Sequence, residues 1–374
     1  MLSHVFVFVI ADSSQVGFAL VSLLFVFGCL GCVVGAAANV YLTDRYGFGT
    51  VMVVGAIAQV IGYAVASPAP PFSVLVLGYA INGLGVALQD AGANAYVASL
   101  KDNASVKMGL LHAVYGVGAL SAPLVSAQFA GLPRWSFHYL VSLGISVSNF
   151  VALIAVFRFK TQDKCLTEIG QPPVASTRGD NLYGQIFKLK NLHLLGFFVL
   201  IYVGVEVTVG GWIVTYMRDV RGGGPSSDYI SSGFFGGLTV GRLALLWVNK
   251  LVGERRVIFL YVLIAITLEL VIWLVPSIIG DALAVSLVGL VLGPIYPIVM
   301  NHSACILPPR LLAGCIGWIA GFGQAGSALL PFLTGALASA KGIQSLHPLL
   351  VSMMTFMLVL WVIVPGNPRP SRDN

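Results

Sequence analysis

Eleven long apolar runs constrain the fold of this chain more than any other feature. A helix that crosses a bilayer needs about 20 mainly apolar residues, because the hydrocarbon core is about 30 Å thick and each residue rises about 1.5 Å. Strands of a membrane barrel would instead alternate in polarity over about ten residues. The sequence therefore predicts an all-α integral membrane protein with about eleven transmembrane helices. The runs cover residues 17–42, 50–66, 72–98, 107–128, 137–158, 192–217, 228–248, 256–275, 281–304, 311–336 and 345–364.

The composition excludes the other broad classes. Of the 374 residues, 57% are hydrophobic and only 9% are charged, and the mean hydropathy is +0.92. A soluble globular domain carries about 25% charged residues, and a disordered chain is poor in apolar residues. The net charge of +6 follows from the loops described next, so it gives no reason to expect nucleic acid as a partner.

Lys and Arg residues alternate in abundance from one loop to the next. If the loop after the first run is cytoplasmic, fifteen of the twenty Lys and Arg residues face the cytoplasm and four face the opposite side. The remaining one, Arg242, lies within a run. Cytoplasmic loops are enriched in these residues, so we expect an external N-terminus and a cytoplasmic C-terminus, in the plasma membrane or an internal membrane.

The polar stretch from Lys160 to Lys190 divides the runs into five and six. Before the first run there is only VFVFVIA at 5–11, which is too short to span. Five plus six suggests a twelve-helix protein without its first helix, through truncation or through a wrong start or splice assignment. The predicted regions are an irregular N-terminal remnant (1–16), a five-helix bundle (17–158), a cytoplasmic linker (159–191), a six-helix bundle (192–364) and a cytoplasmic tail (365–374).

Two tight basic turns occupy corresponding positions in the two halves, DRYGFG at 44–49 and NKLVGERR at 249–256. They resemble the signature loop between helices two and three of the major facilitator superfamily, which is repeated between helices eight and nine. The second copy is degenerate, and the first lacks the basic residue after its Gly. The resemblance implies that these turns gate the cytoplasmic side. Their residues are Asp44, Arg45, Gly47, Asn249, Lys250, Gly253, Arg255 and Arg256.

A narrower resemblance is carried by GLGVALQDAGANAYVASL at 83–100 and GLLHAVYGVGALSAPL at 109–124. These segments are similar to the fucose permease-like branch of the superfamily, and VGGWIVTYM at 209–217 and GFFGGLTVGRLALLW at 233–247 look like its fungal members. The resemblance implies two bundles, a monomer, and alternating-access transport of a sugar or similar small polar solute, without a cofactor. A proton is the candidate coupling ion, although the helix that holds a second coupling carboxylate in bacterial members has no counterpart here.

Ionisable residues within the runs need a reason, because a charge at the bilayer centre costs at least about 2.5 to 3.5 kcal/mol. Asp90 lies near the midplane, and the resemblance makes it a proton or substrate ligand; a static bond to a neighbouring helix is the alternative. Arg242 is too deep to reach the surface, so we expect it to pair with Asp90 or Glu206. Glu269 falls on a helix that is peripheral in this fold, which disfavours a functional role.

Neutral residues complete the predicted site. The aromatic faces of Trp212 and Tyr216 are suited to stacking on sugar rings, with an interfacial aromatic belt as the alternative. Asn301 and Gln324 are suited to a polyhydroxylated ligand, but they could equally hold helices together. The predicted substrate or proton site consists of Asp90, Asn94, His112, Tyr115, Glu206, Trp212, Arg242, Asn301 and Gln324.

The motifs that the sequence lacks argue against two rival functions. It has no GxxxxGK[ST] loop for ATP and no HExxH or GxSxG motif, so we expect neither an ATP-driven pump nor an enzyme. Cys29 and Cys32 form a CxxC within an apolar run, where close helix packing is a better explanation than a metal. A transport-inactive membrane sensor or regulator, or a truncated and non-functional transporter, remains the alternative.

Overall fold

The computed structural model describes residues 23–130, 132–171 and 182–366, and these residues form helices and connecting turns without any strand. Nearly all of the predicted N-terminal remnant and C-terminal tail therefore lies outside the described residues. The longer helices are α1 (Leu23–Tyr46), α2 (Phe48–Ala66), α3 (Phe72–Ala98), α4 (Ala104–Ala130), α5 (His138–Phe157), α6 (Gln162–Glu168), α7 (Leu182–Phe187), α8 (Lys190–Asp219), α9 (Asp228–Ala244), α10 (Leu246–Val252), α11 (Glu254–Leu274), α12 (Ile278–Leu292), α13 (Ile295–Ile306), α14 (Leu312–Lys341) and α15 (Leu346–Ile363).

Each of the eleven predicted runs corresponds to one helix or to two consecutive helices. Among the described residues, nine spans are long and apolar enough to cross a membrane, and α9 with α10 makes a tenth if the bent pair counts as one. The apolar stretch Val106–Ala122 of α4 is shorter. The chain is therefore an all-α, multi-pass membrane protein.

Two of the predicted runs are not single continuous helices. In the run 228–248 the chain bends by 55° between α9 and α10. In the run 281–304 one helix ends at Leu292 and the next begins at Ile295. The second break follows from Pro294 and Pro297, because proline has no N–H to continue the ladder of helical hydrogen bonds.

Contacts divide the described helices into two compact units, and each is described by itself. Unit 1 contains the described residues of 1–102, 122–189 and 308–325, and unit 2 contains those of 103–121, 190–307 and 326–374. The boundary at 189/190 coincides with the end of the predicted linker. The predicted bundles of five and six helices stay a prediction.

Unit 1 is held together by a close approach of α1 and α3. A Cβ at Gly83 would collide with the carbonyl oxygen of Gly28, so only glycine lets the two backbones approach this closely. At one end of the unit, the hydroxyl groups of Tyr79 and Tyr139 form a hydrogen bond of 2.7 Å. This bond joins α3 to α5.

Unit 2 repeats this packing between α9 and α12. A Cβ at Gly289 would collide with the carbonyl oxygen of Phe234. The core of the unit contains large side chains that are completely inaccessible, such as Phe198, Tyr202 and Trp361. The two units therefore use the same device, a small residue where two helices touch, in equivalent helix pairs.

The two signature turns share an unusual backbone conformation. Gly47, between α1 and α2, has φ 85°, and Gly253, between α10 and α11, has φ 90°. A positive φ of this size is readily adopted only by glycine. The similarity of the two sequences therefore extends to the geometry of the turns.

Candidate functional site

Arg242 is the centre of a buried polar cluster in unit 2. Its side chain is only 3% exposed, and its Nη2 lies 3.7 Å from Oε1 of Glu206. Its Nη1 donates a hydrogen bond of 2.8 Å to the carbonyl oxygen of His112, and its Nε donates one of 3.3 Å to the carbonyl oxygen of Gly293. Of its two expected carboxylate partners, the structure pairs Arg242 with Glu206.

The three contacts of Arg242 differ in kind. The carbonyl oxygens are within hydrogen-bonding distance, whereas 3.7 Å between Nη2 and the Glu206 oxygen is too long for a good hydrogen bond. Arg242 is therefore anchored to the backbone by hydrogen bonds, and its contact with Glu206 is mainly charge attraction.

The break between α12 and α13 supplies one of the two carbonyl groups. In a regular helix the Gly293 carbonyl would accept from the N–H of residue 297, but Pro297 has none. The carbonyl is thus available, and Arg242 uses it. Pro297 therefore interrupts the helix and also leaves an acceptor for the buried cation.

Aromatic rings surround this ion pair. The ring of His112 is buried and lies 4.8 Å from the ring of Tyr296, centroid to centroid. The Tyr115 ring is 5.7 Å from Cζ of Arg242, and its side chain is 58% exposed. Tyr202, one turn before Glu206, donates a hydrogen bond of 3.0 Å to the carbonyl oxygen of Leu292. Among these rings Tyr115 is accessible to a ligand.

Trp212 lies in another part of unit 2 and is bound to α14. Its Nε1 donates a hydrogen bond of 3.1 Å to the carbonyl oxygen of Pro331. A Cβ at Gly335 would lie 2.8 Å from the indole ring, so the indole packs directly on the α14 backbone. This geometry favours a role in joining helices.

Asn301 is grouped with the second signature turn. Its Nδ2 donates a hydrogen bond of 2.6 Å to Oε2 of Glu254, at the start of α11. Asn249 of the same turn accepts a hydrogen bond of 2.7 Å at its Oδ1 from Tyr261 of α11. Arg255 of the turn donates one of 2.7 Å to the carbonyl oxygen of Val364. The turn is thereby fixed to the surrounding helices.

A cavity connects this turn to the buried arginine. Its volume is about 70 Å³, enough for a few water molecules. It is lined by Arg242, Leu246, Asn249, Lys250, Glu254, Pro294, Pro297 and Ile298. The cavity thus extends from the ion pair toward the predicted cytoplasmic end of unit 2.

In unit 1 the predicted site residues form a local motif on α3. Nδ2 of Asn94 donates to Oδ1 of Asp90 at 2.8 Å and to the carbonyl oxygen of Asp90 at 2.9 Å. Asn94 is buried and Asp90 is half-buried. The backbone carbonyl oxygen of Gln324, on α14, lies 3.7 Å from Sγ of Cys29.

The first signature turn is more exposed than the second. Asp44 and Arg45 are exposed, and Arg45 donates a hydrogen bond to the hydroxyl of Tyr41 on its own helix. The amide of Gly49 donates a hydrogen bond of 2.8 Å to the carbonyl oxygen of Lys160. The turn therefore packs against the chain that follows α5.

One contact in unit 2 was not predicted from the sequence. Glu269 was expected on a peripheral helix, yet it is completely buried and lies 2.7 Å from Nδ1 of His347. In the described part of the chain, no three His, Cys, Asp or Glu residues are arranged to hold a metal ion.

Comparison with known proteins decides the family. The Major Facilitator Superfamily profile matches residues 1–303. The chain belongs to the Major Facilitator Superfamily. Its members are membrane transporters that typically have no enzymatic activity.

Among curated relatives, Bypass of stop codon protein 6 of Saccharomyces cerevisiae is 26% identical, over 92% of this chain and 75% of that protein. A glucose/galactose transporter of Brucella abortus is 24% identical, over 81% of this chain and 75% of its own length. The solved Escherichia coli fucose:proton symporter FucP has a TM-score of 0.76 at 13% identity, covering 97% of both chains. At that identity, the structural match establishes the fold.

Proposed function

We propose that this superfamily member carries a sugar or a similar small polar solute across a membrane by alternating access, with a proton as the coupling ion. The observation that carries the proposal is the buried Arg242–Glu206 pair. Charges are expensive within a membrane, and those that persist there mark substrate and ion pathways. The loosely held carboxylate is the part of this pair that can change partners.

The sugar assignment rests on chemistry and on relatives. Curated relatives include a glucose/galactose transporter, and the fold resembles that of a fucose:proton symporter. Glu206 can accept hydrogen bonds from hydroxyl groups, and the exposed ring of Tyr115 offers an apolar face for a sugar ring. An apolar solute would leave the Glu206 carboxylate without a hydrogen-bond donor, so a polyhydroxylated solute is the better fit.

The roles of the other predicted residues follow from their contacts. We propose that Asp90, with Asn94, binds a proton or solute in unit 1, and that His112 supports the Arg242 site. Trp212, Asn301 and Gln324 remain proposed ligands, although the contacts of Trp212 and Asn301 favour positioning of helices. We propose that the signature turns gate the cytoplasmic side, and that the protein is a monomer with a cytoplasmic C-terminus.

The test is solute uptake into proteoliposomes with an imposed pH gradient, across a panel of sugars. We expect accumulation by the wild type, only equilibration by Asp90→Asn, and loss of uptake by Glu206→Gln. Glu168→Gln is the matched control, because this carboxylate is exposed and forms only a surface ion pair with Lys160. We expect it to behave as the wild type.

Two outcomes would contradict the proposal. Uptake of every sugar by Glu206→Gln at the wild-type rate would remove the ion pair from the mechanism. Binding of a sugar without any movement into vesicles would favour a membrane sensor over a transporter.

A further inference from the structure

Unit 2 contains a second buried acidic and basic pair, which the proposed solute site does not use. Glu269 on α11 and His347 on α15 are both completely inaccessible, and Oε2 of Glu269 lies 2.7 Å from Nδ1 of His347. Glu269 is near the end of α11 and His347 is in the first turn of α15. The pair therefore lies toward the end of unit 2 that the distribution of basic residues predicts to face outward.

The pair is well separated from Arg242 and Glu206. The ring of His347 contacts Tyr216 edge-on, with centroids 4.3 Å apart. Tyr216 follows Glu206 by ten residues on α8, which corresponds to about 15 Å along the helix axis. The two pairs thus occupy different depths of the same unit.

The remaining charges around the pair cancel each other. Arg221, just after α8, forms an ion pair with Asp281 of α12, with 2.9 Å between Nε and Oδ2. Arg221 also donates to the carbonyl oxygen of Ile272 and lies over the ring of Tyr216. These neighbours carry no net charge, so His347 is the group in contact with Glu269 that can balance its charge.

Each member of the pair has an unused polar atom. Oε1 of Glu269 and Nε2 of His347 have no hydrogen-bond partner among the residues that the structure describes. With one proton between them, the two groups carry a net charge of −1, and with a second proton they carry none. An uncompensated buried charge is costly. While the pair is closed off from water it is therefore more stable with both protons bound, and contact with water allows one to leave.

We propose that Glu269 and His347 form a proton-binding site, filled and emptied from the outward-facing end of unit 2 as the transporter changes conformation. The inference rests on the proposed transport function and adds a proton-binding place in unit 2 to the one proposed at Asp90 in unit 1. A purely structural link between α11 and α15 would need only the single proton of the 2.7 Å bond. The unused oxygen and nitrogen provide the capacity for the second one.

The first experiment measures protonation directly and does not need a solute. The full chain, with ¹⁵N-labelled histidine, is reconstituted in lipid nanodiscs and titrated from pH 4 to 9 by solid-state NMR. Loss of one signal in His347→Gln assigns the imidazole. We expect the wild-type signal to titrate, and its midpoint to move by at least about one pH unit, or tenfold in proton affinity, in Glu269→Gln.

Controls separate this effect from a general disturbance of unit 2. His302 is another buried histidine of the unit, but its Nε2 contacts a backbone group, the carbonyl oxygen of Pro365, at 3.0 Å. His302→Gln should leave the His347 midpoint unchanged. If Glu269→Gln does not fold, Glu269→Asp keeps the charge with a shorter reach and should still shift the midpoint. A His347 signal that keeps one protonation state throughout, or that titrates identically in the Glu269 variant, overturns the proposal.

The second experiment links the site to transport. Uptake by wild-type proteoliposomes is compared at external pH 5.5 and 7.5, where one titrating proton changes the rate by at most about tenfold per pH unit. We expect the ratio of the two uptake rates to move toward one in Glu269→Gln and to stay at the wild-type value in His302→Gln. A wild-type ratio in Glu269→Gln overturns the proposal, whereas absence of uptake by every protein overturns the transport function and leaves the titration to decide on the pair.

Discussion

Removing either member of the Arg242–Glu206 pair should have very unequal effects on stability. At 3.7 Å and an effective dielectric constant of about 20, the two charges attract each other by about 4.5 kcal/mol. In Glu206→Gln this attraction is lost, but so is a desolvation penalty of several kcal/mol for the carboxylate. Arg242 keeps its hydrogen bonds to His112 and Gly293. We therefore expect the free energy of unfolding to change by less than about 2 kcal/mol.

Arg242→Met is the opposite case. It leaves the Glu206 carboxylate buried without its cation, and two backbone carbonyl groups lose their donor. Breaking a buried pair costs about 3 to 5 kcal/mol when it leaves an uncompensated charge. The double variant Glu206→Gln with Arg242→Met removes the stranded charge, so it should be more stable than Arg242→Met alone.

The assay is unfolding by increasing SDS in mixed micelles, followed by the fluorescence of the six tryptophans. The four proteins of the cycle give the energy of interaction between the two side chains. The reasoning is refuted if Glu206→Gln is as unstable as Arg242→Met. It is also refuted if the two single losses add up in the double variant, because additivity would mean that the two charges do not interact.

Three further predictions concern packing and exposure. Gly83→Val should destabilise the protein by about 1 to 3 kcal/mol or prevent folding. Gly118→Val, on an open helix face, should leave stability and folding unchanged. Size-exclusion chromatography and SDS unfolding distinguish the two variants. Trp212→Phe removes the hydrogen bond to α14, which should cost about 1 kcal/mol in the same assay while sparing uptake at saturating solute. Cys165 should react with maleimide more slowly than Cys305 at neutral pH, because the Cys165 side chain is buried and that of Cys305 is exposed; equal rates measured by mass spectrometry would contradict this.

The helices could be predicted from the sequence because each depends on its own local hydropathy. All eleven runs have helical counterparts, and the family resemblance of residues 44–49 and 249–256 identified the fold. The bend after Ala244 was missed, since a change of direction by 55° leaves the hydropathy unchanged. Local patterns therefore gave the presence of the helices but not this bend.

The contacts of the candidate site depend on residues that are distant in sequence. Arg242 was recognised as needing a partner, but the choice between two carboxylates required the structure. Glu269 and His347 are 78 residues apart, and no periodicity connects them. The resemblance argued against Glu269, because the family fold puts its helix at the periphery, and burial of this one side chain is a property of the individual sequence.

The energetics of the Arg242 site suggest why a polyhydroxylated solute should open it. Separating Glu206 from Arg242 forfeits about 4.5 kcal/mol at most, and a hydrogen bond to a charged group contributes about 1.5 to 3 kcal/mol. Two solute hydroxyl groups bound to Glu206 would offset the separation, whereas one would not. We therefore expect that removing one such hydroxyl, in a series of monodeoxy sugars, weakens binding at least about tenfold in wild type. In Glu206→Gln the same removal should have a smaller effect, and equal losses in both proteins would assign the hydroxyl groups to another partner.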